Sequence, residues 1–376
     1  MIPVQLLINL KKIETLFTGS VFEAMLSQSL YHTYKRYRTL QTDKITALPI
    51  VILMPHSACN CRCAMCDIWK DNHNLKQLTE DDIKDLLGTF RKFDTKQVLM
   101  SGGEALLHPN FFRFCEILKK ESIRVTLLST GLTLKKHASQ LTEWVNDIII
   151  SLDGDEETHN YIRNIPDAFN KLKEGVQAVK SFKQDFKITG RSVIHRLNFK
   201  KWPSIIDSAK EIGLDQISFL PADISSHAFN REVLWSDARQ HEIMLDKEDL
   251  PTLRNVIEGL LRGYTSEFET KFVAESPRKI EMVYNYYAAF YGLNDFPYKK
   301  CNAPWVSTVI EADGTVRPCF FHPTLGNIHE KQLDKVLNSN GAIEFRRNLD
   351  IDNNDICKKC VCYLNLPPQM SPVTGN

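Results

Sequence analysis

Between residues 50 and 220, six short β-branched or apolar runs alternate with segments of helical period. No other feature constrains the fold as tightly. The runs are Ile50–Met54, Gln97–Ser101, Ile123–Ser129, Asp147–Leu152, Lys187–His195 and Gln216–Leu220. Helical spacing predicts helices over Glu80–Phe93, Asn110–Lys120, Ala168–Phe182 and Pro203–Ile212, the first opened by a capping-box signal at Thr79 and Asp82. Strand alternating with helix implies parallel strands joined by right-handed crossovers. Six units, where eight would close a ring, predict an α/β fold built as a partial (β/α)6 TIM-like barrel.

Polar motifs follow four of these strands, on the rim where barrel-like folds build their active sites. Strand two leads to Gly102-Gly103-Glu104, strand three to Ser129-Thr130-Gly131, and strand four to Ser151-Leu152-Asp153-Gly154. Strand one leads to Cys59-Asn60-Cys61-Arg62-Cys63-Ala64-Met65-Cys66, which holds four of the ten cysteines. Cys59-x-x-x-Cys63-x-x-Cys66 is a three-thiolate spacing suited to a cuboidal iron–sulfur cluster with one iron left open. Structural zinc usually takes two ligands from one loop and two from another, a poor match to this loop. Cys61 lies between the ligand positions and reads as a spare thiol; Cys115, in an apolar stretch, reads as a lone buried one.

A chain of 376 residues has room for one large domain and a smaller appendage. Its 43% apolar and 25% charged composition is that of a soluble globular protein. A formal net charge of +1 argues against nucleic acid or an anionic membrane as a general partner. The apolar start, Met1 to Leu10, lacks a preceding basic region and a small-residue cleavage site, so it does not read as a signal peptide. No run approaches the roughly 20 apolar residues that span a bilayer. The expected location is cytoplasmic, where thiols stay reduced and clustered cysteines bind metal rather than pair.

The alternation stops near residue 225. Leu250–Arg262 and Pro277–Tyr291 read as helices, with Tyr284, Tyr287 and Tyr291 forming a packing stripe. A second cysteine-rich module begins at Cys301 and continues through Gly314-Thr315-Val316-Arg317-Pro318-Cys319 to Cys357-x-x-Cys360-x-Cys362. The expected divisions are a helical extension (1–48), the barrel core (49–225), a helical connector (226–300), a small C-terminal cysteine-rich domain (301–366) and a mobile tail (367–376).

The cysteine loop after strand one and Ser101-Gly102-Gly103-Glu104-Ala105-Leu106-Leu107-His108-Pro109 after strand two together resemble the radical S-adenosylmethionine (radical SAM) superfamily. Asn60 and Arg62 match the usual filling of that loop, whereas Met65 stands where an aromatic residue is common. The resemblance implies a 4Fe–4S cluster on Cys59, Cys63 and Cys66, with SAM chelating the open iron. Reductive cleavage of SAM then gives a 5′-deoxyadenosyl radical that abstracts hydrogen from substrate. It also implies SAM-binding roles for Gly102, Gly103, Glu104, Ser129, Ser151 and Arg163, with Arg163 pairing with the SAM carboxylate. Asp153 reads as a turn former before Gly154, and Asn198, Asp223 and His227 are weaker candidates.

The C-terminal module resembles the SPASM/Twitch auxiliary-cluster domains, with the shortened one-cluster Twitch version the better match, which implies a second 4Fe–4S cluster on Cys301, Cys319, Cys357 and Cys360, with Cys362 as a possible substitute. Zinc remains a rival at this site. A flavodoxin or ferredoxin is the implied electron donor. The substrate is a metabolite or a ribosomally made peptide, and no catalytic acid or base is identified. The competing reading is a non-catalytic electron carrier or metal-binding scaffold that has kept the fold.

Overall fold

The computed structural model describes residues 21–231 and 233–368. The expectations for the apolar start and for the end of the tail lie outside the described residues. All six expected strands form: β1 (Ile50–Leu53), β2 (Gln97–Met100), β3 (Arg124–Ser129), β4 (Asp147–Ser151), β5 (Ile188–Ile194) and β6 (Gln216–Pro221). They pair in chain order and in parallel. Burial alternates along β1, β2, β4 and β5, whereas β3 and β6 each bury three consecutive residues. In β5, Ile188, Gly190, Ser192 and Ile194 are buried while Thr189, Arg191 and Val193 are half-buried. One sheet face is thus sealed, and the other stays free to line cavities.

The helices up to residue 289 are α1 (Val21–Thr42), α2 (Glu80–Phe93), α3 (Phe111–Lys120), α4 (Leu134–Trp144), α5 (Glu156–Arg163), α6 (Ala168–Phe182), α7 (Trp202–Glu211), α8 (Leu250–Gly263) and α9 (Pro277–Ala289), with shorter turns between; α10 (Asn340–Asn348) follows in the C-terminal module. The Thr79–Asp82 capping box closes reciprocally at the start of α2. Neither α4 nor α5 was anticipated. In α5 the buried face consists of Thr158, His159, Ile162 and Arg163, so a hydrophobic-period search has almost nothing to find. The tyrosine stripe packs as expected and also bonds: Tyr287 donates to the Ile194 carbonyl at 2.5 Å, and Tyr291 to that of Leu245 at 2.7 Å.

The C-terminal module departs from the picture of an appended domain. Strand β7 (Ser307–Ile310) pairs in parallel with β1 on the side opposite β2, from Ile50↔Ser307 to Leu53↔Ile310. Antiparallel β8 (Thr315–Arg317) and β9 (Gly326–Asn327) follow, completing a nine-stranded sheet of order β6-β5-β4-β3-β2-β1-β7-β8-β9. The barrel stays open because β6 and β1 do not meet, and β1 becomes an interior strand. Among the described residues no helix is long and apolar enough to cross a membrane.

Candidate active site

The cysteine loop leaves β1 and is held from three directions. Asn72 clamps its start, accepting from the Cys59 amide and donating to the Cys59 carbonyl, each at 2.9 Å. The Arg62 and Ala64 amides donate to the Arg163 and Ile162 carbonyls at the end of α5, both at 3.0 Å. The Trp69 indole donates to the Cys63 carbonyl at 3.3 Å. The loop after β2 closes the third side, where the Glu104 amide donates to the Ala58 carbonyl at 2.9 Å.

That last contact explains the two glycines. A Cβ on Gly103 would lie 2.2 Å from the Ala58 carbonyl oxygen, a backbone atom that cannot swing aside. Gly102 has φ +113°, in the region L-residues avoid, and a Cβ there would lie 2.9 Å from the His56 carbonyl oxygen. With no side chains in the way, the two loops enclose a cavity of about 220 Å³. Cys59, Cys63, Cys66, Gly102, Gly103, Ser129, Ser151 and Arg163 all line it, together with Met65. Cys61 does not: it is fully buried behind the loop, in line with its reading as a spare thiol.

Arg163 and Asp153 form a buried ion pair, Nη2 to Oδ2 at 2.5 Å, with side chains 8% and 0% exposed. Arg163 also donates through Nη1 to Cys63 Sγ at 3.3 Å. Burial opposes the guanidinium charge, but Asp153 and the neighbouring thiols outweigh it and its pKa is raised. A hydrogen bond from the Cys61 thiol and the Arg163 charge together hold the Cys63 thiol down at about 6, against burial. Burial pushes Cys66 up to about 12. Asp153 is therefore more than a turn former, because it fixes the cation that faces a candidate ligand sulfur.

Glu104 differs from expectation. Its carboxylate is fully buried and does not face the cavity. It accepts from Thr130 N at 2.7 Å, Thr130 Oγ1 at 2.7 Å, Leu106 N at 3.2 Å and Ser129 Oγ at 3.0 Å. The carboxylate ties β2 to β3, so its part in the site is to shape the wall. Asn198 likewise lies outside the cavity, donating to the Asp153 and Val193 carbonyls at 3.1 and 3.0 Å. Asp223 lines the cavity but is paired with buried Arg231 at 2.6 Å. His227 faces a separate space.

Two larger cavities flank this one. A space of about 410 Å³ shares Gly102, Gly103, Ile68 and Phe229 with it and extends to Glu311, Arg317 and His322. A space of about 270 Å³ shares Leu220, Pro221 and Val361 with it and reaches Arg191, Glu275 and Tyr363. Arg191 and His322 escaped the sequence reading, since neither sits in a motif.

Cys301, Cys319, Cys357, Cys360 and Cys362 surround a fourth space of only about 40 Å³. All five cysteines grouped in the sequence line this one space, although Cys362 is exposed. His322 approaches Cys357 Sγ through Nε2 at 3.2 Å. Burial raises Cys319 to about 11 and Cys357 to about 12. Among the described residues, no three Cys, His, Asp or Glu side chains are gathered to hold a single metal ion.

Comparison with known proteins converges on these two regions. Residues 53–209 match the family model of the radical SAM superfamily, and residues 301–361 match that of the SPASM iron–sulfur cluster-binding domain. An Fe-coproporphyrin III synthase of Methanosarcina barkeri is 22% identical, over 87% of this chain and 85% of that protein. A cysteine-type anaerobic sulfatase-maturating enzyme of Clostridium novyi is 25% identical, over 84% of this chain and 86% of its own length. Streptococcus suis SuiB, solved with S-adenosylmethionine, shares the fold at a TM-score of 0.60 and 15% identity, over 94% of this chain and 81% of that one. The motif after β1, the glycine turn after β2, the parallel sheet and both matched domains identify this chain as an enzyme of the radical SAM superfamily, with SAM and 4Fe–4S as its cofactors and a C-terminal SPASM domain.

Proposed function

We propose that Cys59, Cys63 and Cys66 hold the SAM-binding cluster, that SAM occupies the 220 Å³ cavity, and that the enzyme takes a hydrogen atom from an organic substrate in an adjoining cavity. One observation carries this reading: the three thiols and the side-chain-free Gly102–Gly103 turn line the same space. The donor set suits the group, because thiolates favour soft iron, all three are free of disulfides, and Arg163 already faces one sulfur. When bound, cluster and SAM supply one electron and a 5′-deoxyadenosyl radical that abstracts hydrogen from carbon.

The chain's own part is to bind, orient and exclude. Gly102 and Gly103 let backbone carbonyls approach the methionine ammonium. The Ser151 hydroxyl faces the cavity and is available to SAM's polar groups. Arg163 stabilises the Cys63 thiolate and presents the remaining guanidinium edge to the SAM carboxylate. Glu104 acts indirectly, holding Ser129 and Thr130 in place. Walls of packed side chains keep water from a reactive radical.

Cys301, Cys319, Cys357 and Cys360 are the proposed ligands of the auxiliary cluster, with Cys362 the alternative to one of them. Four thiolates saturate a cubane, which favours electron relay over substrate ligation. A low-potential flavodoxin or ferredoxin in the cytoplasm is the proposed donor. Substrate is a metabolite or a peptide, as the names of a porphyrin synthase and a sulfatase-maturating enzyme among the relatives suggest. The test is anaerobic incubation of the reconstituted, reduced protein with SAM. 5′-Deoxyadenosine and methionine are expected, and Cys63→Ala should abolish both; a variant that still made them would remove the ligand assignment.

A further inference from the structure

The two cavities that flank the SAM space differ in charge state. In the 410 Å³ cavity the cations are neutralised and one carboxylate is left over: Arg317 pairs with Glu311 at 2.7 Å and Lys76 with Asp313 at 3.5 Å, with Asp71 in surplus. In the 270 Å³ cavity they are not. Its lining holds Arg191, Lys279 and Lys299 against a single carboxylate, Glu275, with the Cys360 and Cys362 thiols at the Lys299 end.

Lys299 and Glu275 are both committed to backbone groups. Lys299 donates to the Lys358 carbonyl at 2.9 Å and to the Cys360 carbonyl. Glu275 accepts from the Phe219 amide at 3.0 Å, and burial raises its pKa, which weakens it as a counter-ion. Arg191 is different. The only hydrogen bond its side chain makes among the described residues is a long one, Nε to Ser218 Oγ at 3.4 Å, so both terminal NH2 groups remain uncommitted. It projects from the half-buried face of β5 and, among the described residues, makes no salt bridge, although its charge acts on Glu275 across the cavity. Lys279 stands on α9 over the Tyr363 ring, 5.5 Å from its centroid, also without a salt bridge among the described residues. Most of the remaining wall is apolar, with Phe219, Leu220, Met282, Val283 and Tyr286 prominent.

A cavity that sets apolar side chains beside one uncommitted guanidinium and a second cation is built for an apolar body bearing an anionic oxygen pair. A guanidinium fork matches a carboxylate through two parallel N–H···O bonds. We propose that this cavity is a substrate subsite for a carboxylate, held by Arg191 and supported by Lys279. The proposal rests on the catalytic reading above, since Leu220, Pro221 and Val361 wall both this cavity and the SAM space. A carboxylate anchored at Arg191 directs the rest of the substrate towards the reacting centre.

Anaerobic calorimetric titration of the reconstituted enzyme tests it with three probes. 3-Phenylpropionate represents a free acid, 3-phenylpropanamide its uncharged match, and acetyl-Phe-Glu-amide a carboxylate carried on a peptide. The better acid should bind saturably and at least about tenfold more tightly than the amide, the worth of one charge-assisted pair. Arg191→Gln should remove that preference, Arg191→Lys should restore part of it, and Lys279→Gln should weaken the acid by about two- to threefold. Preference between the two acids identifies the source of the carboxylate. Equal binding of acid and amide, or an unchanged preference in folded Arg191→Gln, overturns the subsite. Should Arg191→Gln fail to fold, the acid–amide comparison on the unaltered enzyme and on Lys279→Gln still decides. No readout involves SAM, so missing 5′-deoxyadenosine would strike the catalytic reading and missing acid binding only the subsite.

Discussion

The chain carries two cysteine clusters that solve opposite problems. At the β1 loop, three thiols border a cavity of about 220 Å³ and one of them is held at a pKa of about 6. At the C-terminal module, five thiols surround about 40 Å³, and burial raises Cys319 and Cys357 well above an ordinary thiol. The first has a charge partner in place and space left for a guest. The second has more donors than a cubane needs and almost no free volume. Thiol count alone therefore does not tell a reactive site from a closed one. The empty volume does, together with a cation bonded to a thiol: Arg163 donates to Cys63 Sγ, whereas Lys299 beside the second cluster donates to the Lys358 and Cys360 carbonyls.

The sharpest way to break this contrast is to remove one ligand from each side. Cys63→Ala should drop 5′-deoxyadenosine formation to background while the C-terminal module retains its iron. Cys319→Ala should lower iron content and leave the β1 loop able to bind its own cluster, read by iron analysis and electron paramagnetic resonance. Loss of both clusters in either variant would mean that the two regions do not assemble independently.

Next in size is the buried ion pair. Arg163→Leu strands Asp153 without a partner and should cost about 3–5 kcal/mol in urea unfolding. Adding Asp153→Leu should return a large part of it, because the penalty lies in the unpaired charge. Equal instability of single and double variants would show that the guanidinium's contacts with the loop, rather than its charge, hold the region together.

A pH dependence follows from two histidines behind the loop. Burial lowers both His159 and His195 to about 3. Each accepts an amide hydrogen at Nδ1, from Asp153 and Leu197 respectively, both at 3.2 Å. The unfolded chain binds these protons near pH 6.5 and the folded chain does not. Stability is therefore fully present above about pH 6.5 and is lost as pH falls towards 3, by about 1.4 kcal/mol per pH unit for each histidine. Urea midpoints at pH 7 and pH 5 measure the slope, and His195→Gln should flatten it. An unchanged slope would place the acid sensitivity elsewhere.

The smallest expected effect is at Cys362. Cys362→Ser should leave iron content near that of the parent, since the other four thiols already line the space. If iron falls as it does in Cys319→Ala, Cys362 is a ligand and one of the other four is the spare.

Much of this was legible in the sequence because strands, caps and ligand loops are local. Gln97–Met100 and Glu80–Phe93 follow from period and cap, and the cysteine spacings follow from short-range geometry. What escaped depends on distant partners. Asp153 before Gly154 reads as a turn until α5 folds back to set Arg163 beside it. Glu104 reads as a ligand-facing carboxylate until the end of β3 delivers three donors to it. Arg191 occupies an ordinary alternating position in β5, and only the closing of α9 over the β6 edge gives it a cavity to face.

The pairing of β7 with β1 has a consequence for biosynthesis. About 250 residues separate the two strands, and a ribosome adding about 5–20 residues per second needs ~10–50 s to cover them. Until then β1, with the cysteine loop at its tip, offers a bare hydrogen-bonding edge to any neighbouring nascent chain. Iron delivered early would reach that loop before its supporting strand exists, so metal loading is best timed after release from the ribosome.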